Sequence, residues 1–564
     1  MSAAGNIADA LRAAAAQAPD RVAMQVPAGR DGARTRFSPL TYGELDRDSD
    51  AIAAGALADG LAPGTRVALM VRPGVPFFVL MFGLFKAGLV PVLVDPGIDR
   101  RALKACLDEA EPAAFFGIPL AHLARLVLGW ARRSNRYNLT VGARLGWGGT
   151  TYATLLERGR AALAAGASLP ATRADDLAAI LFTSGSTGLP KGVEYRHRMF
   201  LAQVELIRAA FGIRAGEVDL PTFPPFALFD PGLGMTSVIP EMDPTRPARA
   251  NPARLIATIE QHGCTTMFGS PALLDTLTRH AEARGIRVDS LRRVLSAGAP
   301  VRPDVIARAY RMLPADAELW TPYGATECLP VAVIEGREIL AQSAGRTDAG
   351  AGICVGRPLA ANTVRVIAID DGAIADWHEA RELPAGEIGE ITVTGPSVTE
   401  AYFRRDEATR LAKIREHLRD GSSRIVHRMG DVGYYDEDGR LWYCGRKSHR
   451  VDTPDATLYS ECVEGIFNAV PGVRRSALVG VGPRGRQVPV VCIERWHGAG
   501  EVGWLELKPA LIARGAQFPL TAGLSVFLEH PAFPVDIRHN AKIGREQLAM
   551  WAGMRLPYEP GMLR

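Results

Sequence analysis

The chain has 564 residues, too many for one hydrophobic core, so two or more domains are expected. Its composition, 47% hydrophobic and 22% charged, is that of a globular enzyme rather than a disordered or fibrous chain. The net charge of +4 is carried mostly by arginines spread along the whole length, which speaks against nucleic acid as a partner.

The N-terminal stretch MSAAGNIADALRAAAAQ has no basic region followed by an apolar core, so it does not read as a signal peptide. Next, TYGELDRDSDAIAAGALADG predicts a helix capped by Thr41, with Glu44 three residues on completing a capping box. RVALMV reads as a strand. The most apolar run, FFVLMFGLFKAGLVPVLVDPG, is interrupted by Lys86, Gly88 and Pro91, which predicts a buried helix and a strand rather than a membrane span. Residues 100–150, with ARLVLGWARRSNRYN, predict an amphipathic helical insertion, either an ordinary surface helix or a lid or membrane-facing patch.

Three short apolar strands follow, in DLAAILF, TTMFGS and RRVLSAG, each running into a glycine or serine turn. This alternation is the rhythm of layered α/β domains with parallel strands, whose ligand sites lie at the strands' C-terminal ends. Past residue 446 the pattern becomes a short α+β unit, with helices in CVEGIFNAV and WLELKPALIARGA and strands in RRSALVGVG and VPVVCIE. The expected division is a large domain over 1–446 and a small mobile one over 447–564, pivoting near Arg446–Ser448. The cysteines Cys106, Cys264, Cys328, Cys354, Cys444, Cys462 and Cys492 are scattered and form no C-x-x-C pair. They suit a reducing, cytoplasmic compartment better than a disulfide or zinc framework.

One stretch carries chemistry. LFTSGSTGLPKG places Thr183, Ser184, Gly185, Ser186, Thr187 and Gly188 directly after a strand, with Lys191 close behind. Glycines let backbone N–H groups turn toward an anion, hydroxyls add donors, and the lysine supplies a point charge. The spacing fits neither G-x-x-x-x-G-K-[ST] nor G-x-S-x-G.

The string resembles the phosphate loop of the adenylate-forming superfamily of acyl-CoA synthetases, luciferases and peptide-synthetase adenylation domains. LTYGELDRDSDAIAAG, FGLFKAGLVPVLVDP, SAGAP at 296–300, YGATE at 323–327, HRMGDVGYYDEDGRLWYCGR at 427–446 and NAKIGREQL at 540–548 resemble its other motifs, in order, over nearly the whole chain. The resemblance implies ATP and Mg²⁺ as cofactors and a carboxylate attacking the α-phosphate. It assigns the β- and γ-phosphates to residues 183–188 and Lys191, and the α-phosphate to Thr326. Glu327 is the expected Mg²⁺ ligand. Tyr323 is expected against adenine, in a pocket lined by Gly298, Ala299 and Pro300. Asp431 is expected on the ribose hydroxyls with Arg446 assisting, and Lys542 as the catalytic cation.

Two departures shape the substrate expectation. Ser448 stands at the hinge where Asp or Lys is usual, a tolerable change; after it, GRKSHRVDTPDATL carries Asp452, Asp455 and Thr457 where Lys, Gly and Arg are usual, which disfavours a CoA thiol route. At 221–247 an aromatic–His gate is replaced by Phe226, Phe229 and Asp230, expected at an acyl pocket rim. The 221–247 string, together with RHNAKIGREQL, resembles the family's β-lactone-forming branch from bacterial olefin biosynthesis. The implied substrate is a long-chain α-alkyl-β-hydroxy fatty acid whose own hydroxyl closes the ring, with assembly alongside other olefin-biosynthesis enzymes and no transmembrane segment. The rival readings are a long-chain acyl-CoA or acyl-carrier-protein ligase, and a non-catalytic acyl- or nucleotide-binding protein.

Overall fold

The computed structural model describes residues 5–32, 34–94, 98–183, 190–498, 501–535 and 543–556. Two large sheets with helices packed on them make up the chain to residue 446. In the seven-stranded sheet the order is Thr150–Thr151, Tyr137–Thr140, Ala114–Gly117, Arg66–Met70, Val90–Leu93, Leu177–Phe182 and Gly192–Arg196. All neighbours are parallel except the last pair. Its strands are short and apolar because helices cover the sheet, as burial of parallel strands requires. The helix Val75–Lys86 is buried along nearly its whole length, against the helix Tyr42–Ala58. The second of these starts at the expected box: the Glu44 N–H donates to Thr41 Oγ1 at 3.1 Å, and the Thr41 N–H donates to Glu44 Oε2 at 2.8 Å.

The other sheet has fourteen strands and two halves. In the parallel half lie Thr236–Val238, Val218–Pro221, Thr266–Phe268, Arg293–Leu295 and Glu318–Ala325. From Glu318–Ala325 onward the pairing is antiparallel, through Cys328–Glu335, Ile353–Pro358, Leu441–Arg446 and Ser423–Tyr435. One strand therefore belongs to both halves, and the residues just after it sit where parallel strand ends meet an antiparallel ladder.

Residues 100–150 differ from expectation. They are no insertion: helix Arg100–Ala110, strand Ala114–Gly117, helix Pro119–Leu128 and strand Tyr137–Thr140 form regular β-α-β units of the seven-stranded sheet. Gly129 ends the second helix with φ +66°, a conformation that glycine adopts without steric cost, and this releases the chain toward the strand.

After the short turn Lys447–His449, a three-stranded sheet of Val473–Val481, Val488–Arg495 and Phe527–Glu529 packs with helices Ser460–Asn468 and Trp504–Gly515. Its two larger hydrophobic clusters draw only on residues from Val451 onward, while a smaller one joins Cys462 to Val432 and Cys444.

Candidate active site

The C-terminal ends of strands from both sheets face one cleft of about 2450 Å³. Each strand of the parallel half contributes the loop at its C-terminal end. Thr222–Phe229 comes after Val218–Pro221, Ser270 after Thr266–Phe268, Ser296–Pro300 after Arg293–Leu295, and Thr326 and Glu327 after Glu318–Ala325. The seven-stranded sheet adds Thr183 at the end of Leu177–Phe182. Thus Thr183, Phe226, Phe229, Gly298, Ala299, Pro300, Tyr323, Thr326, Glu327, Asp431 and Arg446 all line the same space. Ser184, Gly185, Ser186, Thr187, Gly188 and Lys542 lie outside the described residues.

Asp431 is a buried carboxylate held from two sides. Tyr323 Oη donates to its Oδ2 at 2.6 Å, and Arg446 Nη1 donates to its Oδ1 at 2.7 Å. The strand register makes the second contact unavoidable, since Asp431 and Arg446 face each other across the antiparallel ladder. The Asp431 charge is the largest influence raising the Arg446 pKa. Each carboxylate oxygen carries one protein donor and keeps a lone pair for a ligand hydroxyl. Tyr323 lies beside Tyr443, ring centroids 6.1 Å apart, with Gly298 (φ +96°) among the other residues that line the cleft.

Glu327 has surroundings that motif reading missed. Tyr402 Oη donates to Glu327 Oε1 at 2.6 Å. The Lys191 ammonium sits 5.0 Å from the centre of the Tyr402 ring, a cation–π distance. Thr399 clamps the Glu327 backbone carbonyl with its N–H at 2.9 Å and its hydroxyl at 3.1 Å. Thr399 in turn accepts from the buried Lys413, whose pKa is pushed down to about 8 by burial, against the pull of the Glu327 charge. Tyr195 Oη donates to the Thr326 carbonyl. The signal that could have found Lys413 is scarcity: it is one of only seven lysines in an arginine-rich chain.

The part of the cleft expected to take the acyl chain is aromatic. Phe226 stacks on Phe268 at 4.1 Å and meets Phe223 at 5.4 Å and Phe229 at 6.3 Å. Asp230 was expected on the rim, but it lies behind these rings. With Asp219 it lines a separate apolar cavity of about 50 Å³. Ser237 Oγ donates to Asp230 Oδ2, while Asp219 Oδ1 is buried without a hydrogen-bond partner. Burial raises both pKa values, and the Asp230 charge adds to the rise of Asp219; Asp230 is pushed up to about 7. Asp230 begins the short helix Asp230–Leu233, since the 3₁₀ turn Phe226–Leu228 leaves its side chain facing inward. Asp455 and Thr457 are exposed on the hairpin Val451–Asp452/Thr457–Leu458 and do not line the cleft. Among the described residues no group of three or more His, Cys, Asp or Glu side chains could hold a metal by itself.

Set against known proteins, residues 11–403 match the AMP-binding enzyme family. The chain is 59% identical to the olefin beta-lactone synthetase of Stenotrophomonas maltophilia, over 98% of both chains. It is 58% identical to that of Xanthomonas campestris pv. campestris, again over 98% of both. ATP-bound MatB from Rhodopseudomonas palustris shares the fold, with a TM-score of 0.74 at 22% identity over 97% of this chain and 99% of that one.

The buried acid pair sets a pH dependence. A carboxyl whose folded pKa is raised contributes stability that is fully present below its unfolded value near 4 and is lost as pH rises through about 7. The wild-type thermal midpoint is therefore expected to fall between pH 5 and pH 8. Asp230→Asn should flatten that fall by on the order of 1–4 kcal/mol, one pKa unit being worth about 1.4. Parallel melting profiles for the two proteins would show that ionising Asp230 carries no such cost.

Proposed function

The chain belongs to the AMP-binding enzyme family, and on that premise we propose that it converts a long-chain α-alkyl-β-hydroxy fatty acid and ATP into a β-lactone, AMP and pyrophosphate. The observation that carries this reading is the near-full-length likeness to two olefin beta-lactone synthetases. The cleft supports the first half of the reaction. Asp431 and Arg446 suit ribose hydroxyls. Tyr323 with Gly298, Ala299 and Pro300 suits adenine, and Thr326 at the strand end suits the α-phosphate. Residues 183–188 and Lys191 are assigned to the β- and γ-phosphates.

Mg²⁺ fits this site on one condition. A single carboxylate, Glu327, faces the cleft near the assigned phosphates, so the remaining oxygens must come from ATP and water, as is usual for this ion. When bound it neutralises charge on the phosphates. Tyr402 and Thr399 hold Glu327 from behind, and Tyr402 also offers its ring face to Lys191. The substrate carboxylate attacks the α-phosphorus, and pyrophosphate leaves. Lys542 is assigned to the charge that develops on the two reacting groups.

The second half needs a nucleophile. Phe223, Phe226, Phe229 and Phe268 make the acyl side apolar and poor in water. A β-hydroxyl tethered to the same carbon chain has a high effective concentration there. Its oxygen bonds to the activated carbonyl carbon, its proton is released, and AMP departs with one carboxylate oxygen. We assign the mobile role to 447–564, supported by its two larger hydrophobic clusters, and a cytoplasmic place of action, supported by seven free cysteines.

Two outcomes are expected. Lys542→Ala should retain ATP affinity and lower the rate of pyrophosphate release by roughly two orders of magnitude, the scale of one preorganised charge. Release at the wild-type rate would refute the role of Lys542. With no CoA present, a β-hydroxy acid should give AMP and a product lighter by one water, while the matched deoxy acid stalls as bound adenylate. Efficient thioester formation from the deoxy acid and CoA would restore the ligase reading.

A further inference from the structure

The helix Pro119–Leu128 is packed the wrong way round for a surface helix. It buries its polar residues and exposes its apolar ones. His122 and Arg125 are the buried pair. His122 Nε2 lies 2.9 Å from the Leu139 carbonyl oxygen, and its ring stacks on Trp147 at 5.2 Å. The Arg125 guanidinium sits 5.6 Å from the centre of the Phe115 ring. Facing outward are Leu120 (63% exposed), Leu123 (52%), Leu126 (54%) and Val127 (74%). An amphipathic helix on a globular surface normally shows the reverse. Exposed large apolar side chains gathered on one helix mark a surface made to be covered.

The surroundings of the helix identify the cover. Arg132 and Arg133 stand exposed in the turn directly after it, and Arg100 and Arg101 open the preceding helix Arg100–Ala110. Among the described residues none of these four arginines pairs with a carboxylate. The acids nearby are committed: Asp99 caps the helix by accepting from the Arg101 and Ala102 N–H groups, Asp108 pairs with Lys104, Glu109 with Arg405 and Glu111 with Arg404. A leucine face beside unneutralised arginines is complementary to a bilayer with anionic headgroups. A protein partner would have to present apolar and acidic groups in the same register.

The face is also continuous with the active site. Leu120, Leu123 and Val127, together with Arg100, line the same cleft as Phe226 and Glu327. Among the described residues no helix is long and apolar enough to cross a membrane.

We propose that the helix Pro119–Leu128 docks on an anionic membrane surface, so that a long-chain acid passes from the lipid into the cleft along the exposed leucines. This inference rests on the long-chain substrate reading above for its purpose, but not for its geometry.

The test is co-sedimentation of the full-length protein, without ATP or substrate, with vesicles of phosphatidylcholine alone or with three parts in ten of phosphatidylglycerol. Binding is expected to the anionic vesicles, weakened by high salt. Leu126→Asp and the double variant Arg132→Glu/Arg133→Glu should each weaken it at least tenfold. Both variants should keep wild-type AMP release on a short, soluble β-hydroxy acid and lose turnover of the long-chain acid supplied in vesicles. Wild-type protein that ignores anionic vesicles, or binding that both variants retain, would overturn the proposal. So would a wild-type oligomer that Leu126→Asp dissociates, since the face would then belong to a second copy. Failure of AMP release on the soluble acid by all three proteins would instead count against the functional reading, because the vesicle measurement does not depend on it.

Discussion

The site is organised around one buried carboxylate. Asp431 is gripped by Tyr323, from the strand that joins the two halves of the large sheet, and by Arg446, the last residue of the strand Leu441–Arg446. A lone buried carboxylate is costly unless it is paired and hydrogen-bonded. Here the pairing ties the strand Glu318–Ala325 to the strands Ser423–Tyr435 and Leu441–Arg446. Because Glu318–Ala325 runs parallel to one neighbour and antiparallel to the other, the two residues after it, Thr326 and Glu327, emerge into the cleft beside Asp431. The proposed positions for ribose, α-phosphate and metal therefore follow from a single strand and a single ion pair.

Much of this was legible because it is local. The Thr41–Glu44 cap spans three residues and forms as its spacing requires. Strands ending in glycine or serine turns announced where ligand-facing loops would lie, and those loops do converge. What escaped was what the chain assembles across long separations. Tyr402 meets Glu327 from 75 residues away. Lys413 reaches the same corner through Thr399. No periodicity or spacing encodes such contacts; they exist only once distant segments of the chain are folded against one another. Residues 100–150 were misread for a different reason. A four-residue strand such as Tyr137–Thr140 leaves little pattern, and a helix whose leucines face outward gives the same 3.6-residue rhythm as one whose leucines face in. Asp230 shows the same limit on a smaller scale. Its place next to Phe229 in the chain suggested the rim, but the turn before it points the carboxylate into the interior.

The cleft has two ends with opposite chemistry. Near Asp431 and Glu327 it is lined with charged and hydrogen-bonding groups, and near Phe226 and Phe268 with stacked rings. On the proposed reading, a mixed anhydride formed at the first end has its acyl chain among the apolar rings of the second. Such an arrangement favours a nucleophile that the substrate itself carries.

Closure of the acyl-adenylate by the substrate's own β-oxygen is open to a direct isotope measurement. A β-hydroxy acid carrying a heavy-oxygen label at the hydroxyl is turned over with ATP, and both products are weighed by mass spectrometry. Intramolecular closure predicts an organic product lighter by one water that keeps the label, with unlabelled AMP. A product that retains both a free labelled hydroxyl and an acyl bond to an external acceptor would contradict it.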